Sequence, residues 1–379
     1  MDVRPFKINI SQEALDDLHY RLDHARYPNE IRDAGWSRGV PLDYLKKLAS
    51  YWRNEYDWRA WEARLNSYPQ FTTEIDGQTI HFLHIQSPEP DALPLIITHG
   101  YPGSFVEFVE LIEPLTNPRK FGGDPADAFH LVIPSLPGYG FSQPLTEPGW
   151  EASRTAKAWA ELMRRLGYER YGAQGGDIGS GVAGELAKIA PDHVVAVHVN
   201  TDASAAVFIN GHGIDALSDE DKAHFEPIRQ ASQDGGAYLQ IQATRPQTLG
   251  YSLTDSPVGQ LAWIVEKFKE WTDPSAELPE DAVNIDQLLT NVSLYWFNSA
   301  GASAAQFIYA AFHGPQNWGD ASTVPTGFAN FGDPMTRRLI DPQQFIPHWS
   351  DFDKGYHFAA MEAPDLLTGD IQAFFRQYR

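Results

Sequence analysis

The run Gly175-Gly176-Asp177-Ile178-Gly179-Ser180 ends an apparent strand and opens a helix. A sharp strand-to-helix turn that lifts one side chain clear of the backbone requires small residues two before and two after it. Gly175 and Gly179 meet that requirement around Asp177. An aspartate is already ionised at neutral pH, so at such an apex it can attack without a base to activate it. A carboxylate nucleophile suits an sp³ carbon bearing a leaving group, and the product is an alkyl ester. The same residues also read as a glycine-rich turn whose Asp caps a helix, and this segment alone leaves both readings open.

Two other segments bear on the choice. His99-Gly100-Tyr101-Pro102-Gly103-Ser104 follows directly on an apolar run. A turn there presents the backbone N–H of Tyr101, and Ile178, one after the nucleophile, presents a second; two such donors make an oxyanion hole. The turn also reads as an ordinary connection, and His99 itself reads as structural. Gly355-Tyr356-His357-Phe358 lies near the C-terminus. His357 there fits the chain order nucleophile, acid, base. His81 and His84 are three apart on a presumed strand, so they face opposite sides and do not read as metal ligands. The phosphate-binding motif G-x-x-x-x-G-K-[ST], the zinc motif H-E-x-x-H and the serine elbow G-x-S-x-G are all missing.

The elements that must position these residues alternate. Residues 1–70 predict a helical, aromatic meander, with a helix start at Ser11 and Leu15, Leu18 and Leu22 at helical spacing. Residues 71–85 read as a hairpin turning at Asp76-Gly77. Short apolar runs at 93–97, 131–133 and 194–197 suit a sheet buried on both faces, and helical stretches at 155–166 and 181–189 lie between them. Alternating strand and helix predicts an α/β fold with a mostly parallel sheet. From 203 to 315 the strand pattern stops, and helices at 261–271 and 285–297 predict a lid over the ligand-binding edge of the sheet. Strands resume at 324–331. The expected divisions are therefore 1–70, 71–202, 203–315 and 316–379.

Composition bounds the function. The 379 residues carry 50 acidic and 29 basic side chains, a net charge of −21, which repels phosphate backbones and argues against nucleic acid as a partner. With 0 Cys, disulfide scaffolds, Cys-ligated zinc, iron–sulfur clusters and a Cys nucleophile are excluded. No stretch reaches the roughly 18 apolar residues that span a bilayer. The N-terminus lacks the features of a signal peptide. The expectation is a cytoplasmic protein with no membrane partner.

With the three segments in this order, the sequence resembles the epoxide hydrolases of the microsomal type, in the α/β-hydrolase superfamily. The resemblance rests on 99–104, Leu136-Pro137-Gly138-Tyr139-Gly140-Phe141-Ser142, 175–180 and 357–364, and on lid stretches 238–249, 255–259 and 288–296. It covers nearly the whole chain, without the membrane anchor of the microsomal relatives. It implies an α/β-hydrolase fold with a helical lid, acting on a small-molecule epoxide with water and needing no metal or organic cofactor. A homodimer is left open.

Carried onto this chain, the resemblance makes Asp177 the nucleophile and His357 the base. Lid tyrosines would hold the epoxide oxygen. Tyr238 matches the first; Tyr309 matches the second, one residue late after Trp296, with Tyr295 as fallback. Asp333 would orient His357, although Phe331-Gly332-Asp333-Pro334 is one residue shorter than the family pattern; Asp341 and Asp320 are alternatives. Tyr101, Pro102, Ile178 and Trp296 would line the substrate site. The competing readings are a haloalkane-type dehalogenase and a non-catalytic binding protein on the same fold. Many dehalogenases carry Trp directly after the nucleophile, where this chain has Ile178.

Overall fold

The computed structural model describes residues 3–314 and 322–379. Its frame is a twisted sheet of β1 (Arg4–Phe6), β2 (Gln70–Ile75), β3 (Gln78–Ile85), β4 (Leu93–Thr98), β5 (Phe129–Pro134), β6 (Tyr171–Gly175), β7 (Val194–Asp202), β8 (Thr326–Phe331) and β9 (His348–Phe352). The spatial order is β1-β2-β3-β5-β4-β6-β7-β8-β9. The first three strands pair antiparallel, and β3 meets β5 antiparallel. From β5 to β9 every pairing is parallel.

The apolar runs split between two cores, as period-two alternation requires. Ile96 and Val132 face one core, whereas Leu95, Ile97, Leu131 and Ile133 face the other. Both are buried because helices cover both faces. Along the chain the first helices are α1 (Gln12–Asp23), α2 (Leu42–Asn54), α3 (Trp58–Leu65), α4 (Val109–Thr116), α5 (Ala152–Arg165) and α6 (Ile178–Ile189). The lid follows β7 as α7 (Ala203–Asn210), α8 (Asp219–Asp234), α9 (Ala237–Thr244), α10 (Pro246–Asp255), α11 (Pro257–Trp271), α12 (Ile285–Phe297) and α13 (Ala300–His313). After β8 come α14 (Thr336–Ile340), α15 (Ala359–Glu362) and α16 (Pro364–Phe375).

Ser11 caps α1 by accepting from the Ala14 amide at 3.1 Å, and Leu15, Leu18 and Leu22 are buried. The N-terminal helices grip the lid. Trp52 donates its indole N–H to Ser293 at 3.0 Å, Tyr51 donates to Asp286 at 2.9 Å, and Tyr56 bonds Thr290 at 2.8 Å. These three contacts fix α12, so the lid sits on a built surface. Two strands lie outside the sequence expectation: β1 has three residues, and β9 is half-exposed along its length, so neither forms an apolar run. Among the described residues no helix is long and apolar enough to cross a membrane.

Candidate active site

Asp177 stands between β6 and α6 with φ +52° and ψ −128°. That conformation is strained for a residue with a Cβ, by about 1–3 kcal/mol, so the surroundings must impose it. They do so by close packing. A Cβ on Gly179 would lie 1.9 Å from the Thr98 carbonyl oxygen, and one on Gly175 would lie 2.3 Å from the Gly179 carbonyl carbon. Only glycine at both positions lets α6 start directly against β4 and β6. The turn after β4 then brings the Tyr101 amide to Asp177, donating to Oδ1 at 2.8 Å. The Ile178 amide also faces this carboxylate. Asp177 is enclosed by protein yet keeps 30% of its side-chain surface accessible from within the site.

His357 faces Asp177 from the loop before α15. Its Nε2 lies 3.5 Å from Asp177 Oδ2. The loop is pinned from the lid: the His357 amide donates to the Trp271 carbonyl at 3.1 Å. The Glu362 carboxylate accepts from the amides of Tyr356 (3.1 Å) and Asp273 (3.0 Å). Burial pushes both charged forms toward neutrality. The mutual hydrogen bond and opposite charge nevertheless hold His357 well above, and Asp177 below, their ordinary ranges. Both directions favour a carboxylate beside an imidazolium.

The carboxylate that meets His357 Nδ1 is that of Asp202, not Asp333. Asp202 ends β7, and its Oδ2 accepts from His357 Nδ1 at 3.0 Å. Its Oδ1 caps α7, accepting from the amides of Ser204 (2.7 Å) and Ala205 (3.1 Å). Asp333 is turned outward. Its Oδ2 bonds His224 of α8 at 2.7 Å and its Oδ1 accepts from the Met335 amide at 2.9 Å. The short turn carries the physical reason. Gly332 takes φ +92°, and the Tyr356 ring packs where a Cβ there would stand, at 2.3 Å. Asp341 is also committed elsewhere, accepting from the amides of Phe345 (2.7 Å) and Ile346 (3.1 Å). Asp320 lies outside the described residues.

The lid brings aromatics over the carboxylate. Tyr238 lies parallel to Tyr101, ring centroids 5.9 Å apart, and edge-on to Trp271 at 5.3 Å. Burial, then the charge of Asp177, raises the Tyr238 phenol, so it stays protonated as a donor. Lys267, only 1% exposed, sits 4.6 Å over the Tyr238 ring and pairs with Glu270 at 2.6 Å. Tyr309 is placed elsewhere: it is 37% exposed, with its ring stacked on His313 at 4.0 Å. Tyr295 is buried and donates to the Gly103 carbonyl at 2.9 Å, bracing the oxyanion turn from behind. Trp296, one residue on, points to another face of α12 and lies under the Arg21 guanidinium at 5.7 Å, a packing contact with the N-terminal helix. Pro102 serves the turn itself, its carbonyl accepting from Asn291 at 2.7 Å.

Comparison with known proteins adds an independent line. Residues 3–108 match the family described as the epoxide hydrolase N terminus, and residues 94–232 match the alpha/beta hydrolase fold. Over 100% of its length the chain is 44% identical to a Stigmatella aurantiaca protein assigned provisionally as an epoxide hydrolase, covering 86% of it. It is 35% identical to epoxide hydrolase 1 of Sus scrofa, covering 98% of this chain and 88% of that protein. The chain belongs to the epoxide hydrolase family. The crystal structure of juvenile hormone epoxide hydrolase from Bombyx mori superposes with a TM-score of 0.82 at 30% identity, over 100% of this chain and 94% of that one.

In this epoxide hydrolase the sequence reading did not anticipate Asp202 or Lys267. Asp202 carries a sequence signal, an Asp before Ala-Ser at a strand end, but that signal reads as a helix cap, which it also is. Elsewhere, Asp370 meets His198 at 2.8 Å, His348 at 3.1 Å and Ser350 at 2.5 Å. This cluster ties α16 to β7 and β9. Among the described residues the buried His198 Nδ1 has no partner, whereas a metal-ligating histidine has its second nitrogen held.

Proposed function

We propose that this epoxide hydrolase forms a vicinal diol through an ester on Asp177. The observation that carries the reading is one carboxylate with its two oxygens in different places: Oδ1 on the Tyr101 amide and Oδ2 beside His357. In the first half-reaction Oδ2 attacks an epoxide carbon, the carbon–oxygen bond breaks, and the ring oxygen takes a proton from Tyr238. In the second, the His357 imidazolium first gives its proton through solvent to the Tyr238 phenolate; its neutral Nε2 then removes a proton from water and the hydroxide adds to Asp177 Cγ. The Tyr101 and Ile178 amides hold the resulting oxyanion. Collapse breaks the ester bond, and the imidazolium protonates the departing diol oxygen. The carboxylic acid left on Asp177 passes its proton to His357, which restores the carboxylate–imidazolium pair.

The electrostatics switch between the halves. His357 is held protonated by two carboxylates in the resting state. Esterification removes the charge of Asp177, so the histidine falls back toward its ordinary range and becomes a base. A dehalogenase would need an indole N–H for the departing halide; the residue directly after the nucleophile is Ile178, and the Trp263 indole is taken up by the Tyr101 hydroxyl at 2.5 Å.

A single turnover of styrene oxide in ¹⁸O-labelled water tests the reading. The first diol released should be unlabelled at the new oxygen, which comes from Asp177, and the label should appear in the Asp177 peptide. Label in the first diol would mean direct attack by water.

The lid makes a second expectation. Tyr238→Phe should slow ester formation by a factor on the order of 10²–10³, the scale for losing one donor to a developing oxyanion. Tyr309→Phe should cost at least about tenfold less, because Tyr309 donates only by leaving its stack on His313. Stopped-flow tryptophan fluorescence would report ester formation in each variant, and equal losses would place both phenols on the oxygen.

A further inference from the structure

Resting on the ester mechanism above, we propose that Glu107 is a positioning residue that holds the hydrolytic water against the Asp177 ester. A small cavity lies under the carboxylate, lined by Asp177, His357, Asn200, Gly176, Glu107 and the oxyanion turn. It leaves about 10 Å³ for the centre of a water molecule, which is roughly what a single water needs. A buried water that attacks through a lone pair has two hydrogens to place. His357 takes one, and the second needs an acceptor in the same cavity. The Asn200 amide oxygen already accepts from Gln174 at 2.8 Å. Glu107 supplies a carboxyl acceptor on the wall of the same cavity.

Its placement is specific. Glu107 Oε1 occupies the space a Cβ on Gly103 would take, 1.3 Å from that position, so the carboxyl reaches over the oxyanion turn. Glycine at 103 is what admits it. The carboxyl also faces the Ser104 amide, closing a Ser-x-x-Glu cap at the start of the helical turn 105–108. The same carboxyl lines the cavity beside Asp177 and His357. Burial, with the charge of Asp177 added and that of His357 opposing, pushes the acid up to about 8. Tyr295 also faces it. Esterification removes the repelling charge of Asp177, so Glu107 ionises more readily beside the imidazolium that forms in the second half-reaction. It becomes the better acceptor at the step where water is bound. It accepts a hydrogen bond and makes no bond to substrate; the proton removed from water still goes to His357 and then to the diol.

The test separates the two half-reactions in Glu107→Ala and Glu107→Gln with styrene oxide. Ester formation should stay within about threefold of the parent in both. Ester hydrolysis should fall at least about tenfold in the Ala variant, so that the Asp177 adduct accumulates at steady state. The Gln variant keeps an acceptor oxygen and should recover most of that loss. A residue that only capped the turn would lower both rate constants together, so that kcat falls with KM unchanged, whereas selective loss of hydrolysis lowers kcat and KM together. If the Ala variant clears its adduct as fast as the parent, or both steps slow equally, the role of Glu107 is overturned. If Ala does not fold, a Gln variant with more than about tenfold slower hydrolysis overturns it too. Absence of an Asp177 adduct even in His357→Gln would instead overturn the ester mechanism itself.

Discussion

Asp202→Asn is expected to leave ester formation nearly intact and to slow ester hydrolysis by a factor on the order of 10³–10⁴. That is the scale seen where an amide replaces the carboxylate behind a catalytic histidine. The reason is tautomeric. Asp202 accepts from His357 Nδ1 at 3.0 Å, which leaves the Nε2 lone pair toward Asp177 and the water. An asparagine can offer its N–H₂ to Nδ1 and so favour the tautomer whose Nε2 carries the hydrogen. It also removes the charge that stabilises the imidazolium. Because Oδ1 still accepts from the α7 amides, Asn should keep the cap and the fold. Asp333→Asn touches a pair with His224 in which the histidine keeps 41% of its side-chain exposed. Such partly exposed pairs contribute less than about 1 kcal/mol, so activity should stay within roughly fivefold. Single-turnover kinetics on both variants decides between them. Slow hydrolysis in Asp333→Asn with fast hydrolysis in Asp202→Asn would return the role to the later loop.

How much of this was legible in the sequence differs from residue to residue. The elbow was legible only together with the other two segments: two glycines at fixed offsets from Asp177 meet a steric, local constraint, but alone they fit a capped turn equally well. His357 was legible through chain order. The acid was not, because the direction of the side chain at 333 depends on the φ of Gly332 and on where the Tyr356 ring lies. Neither follows from spacing. Asp202 went unmarked: a strand-end Asp before a helix fits a cap, and nothing in sequence says that its second oxygen has another partner. Tyr295 and Trp296 differ by one position, and a helix turns about 100° per residue. Which of them faces the oxyanion turn follows only from how the N-terminal helices rotate α12. Lys267 sits in Glu-Lys-Phe-Lys, a pattern that reads as a solvated face; its 1% exposure arises because the rings of Tyr238 on α9 and of Trp271 on its own helix cover it. The fold followed from the apolar runs, and only β1 and β9, which bury little, escaped.

The central claim is that Asp177 becomes covalently bonded to substrate and that His357 is needed only to release it. Ring opening requires an ionised carboxylate and a proton donor, and both remain when His357 is replaced by Gln. Hydrolysis requires a base, and glutamine has none to offer at neutral pH. Mass spectrometry of His357→Gln after brief exposure to styrene oxide is the most direct measurement. The account predicts a protein heavier by the mass of one substrate, with the added mass on the peptide containing Asp177, and no adduct in the double variant Asp177→Asn, His357→Gln. An adduct on another residue, or rapid diol formation by His357→Gln with no adduct at any time, would contradict it.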